Sequence, residues 1–249
     1  MNTIYIGSFA SLIAGLATGI GALLVFCVRE VSDKFLDSSL GFAAGVMLAA
    51  TSFSLIVPAI EIGGIWKTVA GIVLGAIFLI GVEKLTPHMH YVTGIRGPSR
   101  HLSKLWLFIL AITIHNFPEG MAVGIGFGGG DIRAGTSLAI GIGLQNMPEG
   151  LAVALPLLRE KSTRTRAFLI ALSTGLVEPI GGFLGISVVS IGKFLLPYGL
   201  AFAAGAMLFV ISEEIIPETH SRGNDREATI GVIIGFIIMM ILDHVFRVD

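Results

Sequence analysis

Apolar runs of about 20 residues recur along this sequence between short clusters of charge, and a helix of that length, rising 1.5 Å per residue, crosses roughly 30 Å of hydrocarbon. Eight such runs can be read, at roughly 4–28, 38–60, 64–83, 104–128, 133–158, 166–190, 195–217 and 228–247. They predict an all-α, polytopic bundle of transmembrane helices forming one domain over residues 1–249. With 54% hydrophobic and 13% charged residues, the chain is far from the soluble balance of about 25% charged. Met1 to Gly7 lacks the basic region and cleavage site of a removable signal, so the first run reads as a retained span.

A net charge of -1 offers no basic field for nucleic acid. With Cys27 the sole cysteine, an intrachain disulfide or a thiolate metal cluster is impossible, leaving His, carboxylate, amide and thioether groups for any metal site. Twelve of the 16 Lys and Arg residues fall on the connections after the first, third, fifth and seventh spans. The positive-inside rule makes those connections cytoplasmic and both termini extracytoplasmic. The longest connection, roughly 84–103, holds His88, His90, His101, Pro87 and Pro98 and reads as a solvated cytoplasmic loop.

Two internal matches stand out. Phe42 to Leu48 matches Phe202 to Leu208, pairing span two with span seven. Asn116-Phe117-Pro118-Glu119-Gly120 matches Asn146-Met147-Pro148-Glu149-Gly150, pairing span four with span five. Both pairs are separated by an odd number of crossings, so the repeats run in opposite directions, in a 3+2+3 arrangement of the kind found in secondary transporters.

An ionisable side chain at a helix centre costs about 2.5–3.5 kcal/mol on insertion scales. His115, Glu119, Glu149 and Glu178 all fall near span centres, so something must compensate them. The i, i+4 spacing puts His115 and Glu119 on one face of span four, and Gln145 and Glu149 on one face of span five. A divalent cation between those faces neutralises both carboxylates, with Asn116 and Asn146 on the adjacent side and Glu178 supplying a third carboxylate. Pro118, Pro148 and Pro179 free the carbonyls of Ile114, Leu144 and Gly175, predicting three helix breaks around one polar cavity. Imidazole with carboxylate suits Zn²⁺, with Fe²⁺, Mn²⁺, Co²⁺ and Cd²⁺ as further candidates. Met47, judged on its surroundings alone, reads as core filler before ligand. No organic cofactor is indicated.

The paired motifs His115-Asn116-Phe117-Pro118-Glu119-Gly120 and Gln145-Asn146-Met147-Pro148-Glu149-Gly150, the eight spans and the histidine-bearing loop resemble the ZIP (Zrt-, Irt-like) metal transporters, in particular the bacterial GufA-like branch. The resemblance implies a binuclear site at mid-membrane. One ion is held by Met47, His115, Glu119, Gln145 and Glu149, and its neighbour by Asn116, Asn146 and Glu178, with Glu119 and Glu149 bridging. It also implies a homodimer in the cell (inner) membrane that imports metal by alternating access, spans one, four, five and six moving against the other four. Asp37, Glu61, Glu213 and Glu214 resemble the family's residues at the mouths of the pathway. His88 and His90 resemble its cytoplasmic receiving ligands, with a solvated surface role as the alternative. Many members carry His at the position of Gln145 and of Glu213, and some carry Asp at that of Asn146. An amide is a weaker ligand, so the second position is expected to fill weakly or transiently. The rival readings are a membrane-embedded metal-dependent hydrolase and a cation channel. The inverted repeat argues against the first, and a His/Glu chelate against the second.

Overall fold

The computed structural model describes residues 3–28, 31–85, 88–90, 94–96 and 104–247. Among the described residues, eight helices are long and apolar enough to cross a membrane: α1 (Thr3–Cys27), α2 (Asp33–Gly63), α3 (Ile65–Leu85), α4 (Leu105–Gly128), α5 (Ile132–Arg159), α6 (Arg164–Ile191), α7 (Lys193–Thr219) and α8 (Asp225–Phe246). Polar caps fix several starts. The Ser32 hydroxyl accepts from the Phe35 amide, the Asp131 carboxylate from Ala134 and the Thr163 hydroxyl from Arg166. Ser32 explains why α2 begins at Asp33, before the apolar run proper. Gly64, at φ 77°, makes the one-residue turn from α2 to α3.

The connection between α3 and α4, expected to be plain loop, contains a short antiparallel hairpin, β1 (His88–His90) and β2 (Gly94–Arg96). His101, Pro87 and Pro98 lie outside the described residues.

Helix pairing obeys the repeat. The heaviest contacts join α2 to α8 and α3 to α7, and likewise α1 to α5 and α4 to α6. Exchanging α1 with α6, α2 with α7, α3 with α8 and α4 with α5 maps these pairs onto one another. The spacing is a constant 160 residues through all three outer pairs. Gly45 lies against the Val232 carbonyl as Gly205 lies against that of Ile72, and Gly75 meets Phe202 as Gly235 meets Phe42. Gly15 and Gly175 face each other's carbonyls where α1 crosses α6. Without an apolar driving force between helices in lipid, such small-residue contacts let backbones approach and pack. Gly45→Leu is therefore expected to pry α2 from α8 and reduce the monodisperse fraction of detergent-extracted protein several-fold on size exclusion, with Gly45→Ala milder.

The proline expectation needs correction. Pro118 and Pro148 sit inside helices that run on unbroken, the turns on either side continuing past the one lost hydrogen bond. Of the three breaks foreseen, only the one at Pro179 forms: α6 stops at Gly175, turns through Leu176 and Val177, and resumes at Glu178. Two other irregularities arise at places not expected from the proline pattern. α2 widens to a π-helix over Ala50–Ile56 and α7 over Ile211–Ile215, just before Pro58 and Pro217. A proline without an N–H disturbs the ladder behind it, and i→i+5 bonds such as Val57 N–H to the Ser52 carbonyl take up the extra residue. The two π segments are counterparts in the repeat.

Candidate metal centre

Where α4, α5 and α6 converge, the interior is polar. His115, Asn116, Glu119, Gln145, Asn146, Glu149 and Glu178 are all at most 2% exposed. Backbone contact brings them together: Gly120 lets α4 touch the backbone at Glu178, and its counterpart Gly150 lets α5 touch that at Thr18. The glycine after each Pro-Glu thus allows the close approach that packs the acidic faces.

These groups are largely without partners. Both oxygens of Glu119 and of Glu149, both polar atoms of the Asn116 and Gln145 amides, Nδ1 of His115, Oδ1 of Asn146 and Oε2 of Glu178 are buried with no hydrogen-bond partner among the described residues. Gln145 stands beside Glu119 outside hydrogen-bonding geometry, and Glu119 lies within electrostatic reach of Glu149 and Glu178. Buried polar groups are ordinarily satisfied, and three mutually repelling carboxylates are costly to bury uncompensated. The donor set fits a divalent cation: carboxylate and amide oxygens with one imidazole, and no thiolate. Among the described residues, no three His, Cys, Asp or Glu side chains are already gathered as a cluster.

The imidazole of the set is engaged on another helix. His115 Nε2 lies 2.8 Å from Glu214 Oε1, a residue of the α7 π segment. Glu83, buried near the end of α3, lies within reach of Glu214, Glu213 and His115. This carboxylate chain leads from His115 toward the α3–α4 connection. Sequence reasoning left Glu83 aside because it closes an apolar run where charge is unremarkable. The backbone of His88 and His90 lies in β1, which packs on α4, and their side chains lie outside what is described.

The other expected pathway residues are not brought to the donor set. Asp37, fully buried near the start of α2, is held by Arg222 Nη1 at 2.5 Å and Asn224 Nδ2 at 2.8 Å. Glu61, near the end of α2, lines a cleft of about 210 Å³ with Ser54 and Asp131. Its inner wall includes Ile125, Leu138 and Leu200, which are at most 4% exposed. Asp243 of α8, buried and overlooked in the sequence, accepts a 2.6 Å hydrogen bond from Ser54 beside that cleft. Met47 is fully buried on α2, which packs on α5, and its counterpart Met207 accepts from the Thr51 hydroxyl at 3.9 Å.

An inverted repeat of apolar helices around a buried polar centre defines a polytopic membrane protein of the secondary-transporter class. The ZIP Zinc transporter family model matches residues 95–243. The chain is 45% identical to the zinc transporter GufA of Myxococcus xanthus, covering 95% of this chain and 97% of the relative. It is 42% identical to the zinc transporter ZIPB of Bordetella bronchiseptica (91% and 77% covered) and 35% identical to human zinc transporter ZIP11 (91% and 93%). The chain belongs to the ZIP family. These relatives are all named as transporters and none as a hydrolase.

Proposed function

We propose that this chain carries a divalent metal ion, zinc foremost, across the membrane into the cytoplasm by alternating access, and that it is not an enzyme. The observation that carries the reading is the buried, unpartnered set of donors on α4, α5 and α6. In this reading Met47, His115, Glu119, Gln145 and Glu149 hold the principal ion. Asn116, Asn146 and Glu178 hold a second, weaker position, with Glu119 and Glu149 shared. The Lys and Arg asymmetry supports extracytoplasmic termini, so the Glu61 cleft faces outward and Glu83, Glu213 and Glu214 face the cytoplasm. The whole chain acts as one transporter domain, as a homodimer, with α1, α4, α5 and α6 moving against the other four helices.

Glu214 then has a role in release. By engaging His115 it competes with the ion for the imidazole, lowering the barrier to departure toward Glu83 and the loop histidines. Glu214→Ala, which removes the competitor, is expected to slow zinc uptake while tightening equilibrium zinc affinity, a split that transport and titration measured side by side would reveal. The overall function is tested in proteoliposomes enclosing a zinc indicator: added Zn²⁺ should raise the signal above that of empty vesicles. No signal with Zn²⁺, Fe²⁺, Mn²⁺ or Co²⁺ would sink the transport reading.

A further inference from the structure

Helix α1 contributes no charged group to the donor set, yet it grips the one carboxylate that sits at a helix break. Glu178 is the first residue of the helix that resumes after Leu176 and Val177. Its orientation is set by the turn ahead of it and by what holds its backbone. Ser11 of α1 is fully buried, and its hydroxyl donates a 2.7 Å hydrogen bond to the Glu178 backbone carbonyl. A Cβ at Gly182 would run into the Ser11 side chain, so that glycine makes room for the bond. One turn further along α1, the Ala14 carbonyl accepts a 2.8 Å hydrogen bond from Asn146 Nδ2, which also donates at 2.6 Å to Glu178 Oε1. Backbone and side chain of Glu178 are therefore both tied to α1, one directly and one through Asn146.

The repeat supplies an internal comparison. At the spacing of 160 residues, Ser11 corresponds to Ala171 and Thr18 to Glu178. Ser11 on one half meets the acid on the other, and at the mirrored place, Ala171 opposite Thr18, hydroxyl and carboxylate are missing together. A serine serving only general packing between α1 and α6 would have no reason to follow the acid.

We propose that Ser11 is a positioning residue for the second metal position: its hydrogen bond to the Glu178 carbonyl holds that carboxylate where a cation shared with Asn146 meets it. This rests on the ligand assignment under the proposed function. Partners outside the ligand shell typically change metal affinity 10–100-fold when removed.

Zinc titration of purified full-length protein, with bound zinc counted independently, tests it. Ser11→Ala is expected to weaken the weaker zinc affinity about tenfold, leaving the stronger affinity and the melting midpoint of metal-free protein unchanged. Ser11→Thr, which keeps the hydroxyl, should bind as wild type. Ala171→Ser, which puts a hydroxyl on the other half, should neither alter binding alone nor rescue Ser11→Ala. If Ser11→Ala does not fold, Ser11→Cys, a poorer donor of similar shape, takes its place with the same expectation. Wild-type binding in Ser11→Ala, beside loss of the weaker site in Glu178→Ala, overturns the proposal and leaves the ligand assignment standing. Equal loss of both affinities together with a lowered midpoint makes the serine a packing group and also overturns it. If wild type and Glu178→Ala bind zinc alike, the ligand assignment itself has failed.

Discussion

Glu119→Ala is expected to abolish zinc uptake into proteoliposomes while the protein still inserts, folds and elutes as wild type. The residue projects from the middle of α4 with both oxygens buried and unpartnered. It is close to both Glu149 and Glu178, the position from which one carboxylate can serve two ions. Its removal deletes a ligand outright, so zinc affinity should fall by more than about a hundredfold, beyond the range seen when only supporting partners are removed. Folding should not suffer, because the change relieves repulsion among buried carboxylates that Asn146 and His115 compensate only in part. His115→Ala should lose uptake too, and there Glu214 also loses its neighbour. Retained uptake in Glu119→Ala would remove this residue from the ligand set without touching the transport reading.

The second large effect concerns stability. Asp37 is 0% exposed and both its oxygens are engaged, by Arg222 and Asn224, while Arg222 also bonds Glu218. This network ties the start of α2 to the connection between α7 and α8. Arg222→Ala leaves a buried carboxylate without its counter-charge, a change that costs about 3–5 kcal/mol against a usual total of about 5–15 kcal/mol. A sharply lowered thermal midpoint in detergent is the expected result. Asp37→Asn combined with Arg222→Met removes the Asp37–Arg222 pair and should recover part of the loss, Glu218 still having lost its arginine. An unchanged midpoint for Arg222→Ala would mean that Asp37 is compensated by water or by another group.

Much of this was legible in the sequence because the bilayer imposes simple rules. A span must be about 20 residues of apolar helix, and an ionisable residue inside it must have a reason, so the eight helices and the buried ionisable residues His115, Glu119, Glu149 and Glu178 could be read directly. The repeat was visible only in its longest identical stretches. In the outer helices it survives as single glycines, Gly15 with Gly175 and Gly71 with Gly231, which become recognisable once their carbonyl contacts are seen. The helix breaks were misread because a proline removes one hydrogen bond locally while tertiary packing decides whether the axis yields. Pro118 and Pro148 sit within continuous helices, whereas Pro58 and Pro217 follow π segments. The contact between His115 and Glu214 joins residues 99 positions apart on different helices, and no local pattern reports such a meeting. Ser11 was silent for the same reason: a serine in an apolar helix has no signature until its partner is known.

The central claim is that the unpartnered donors of α4, α5 and α6 are where the transported ion resides. Anomalous X-ray diffraction at the zinc edge, from crystals of zinc-loaded protein, tests it most directly. The strongest peak should lie between Glu119 and Glu149, about 2.0–2.2 Å from a carboxylate oxygen of each, with any second, weaker peak beside Asn146 and Glu178. Strong zinc peaks confined to the protein surface, with Glu119, Glu149 and Gln145 hydrogen-bonded to one another instead, would contradict it.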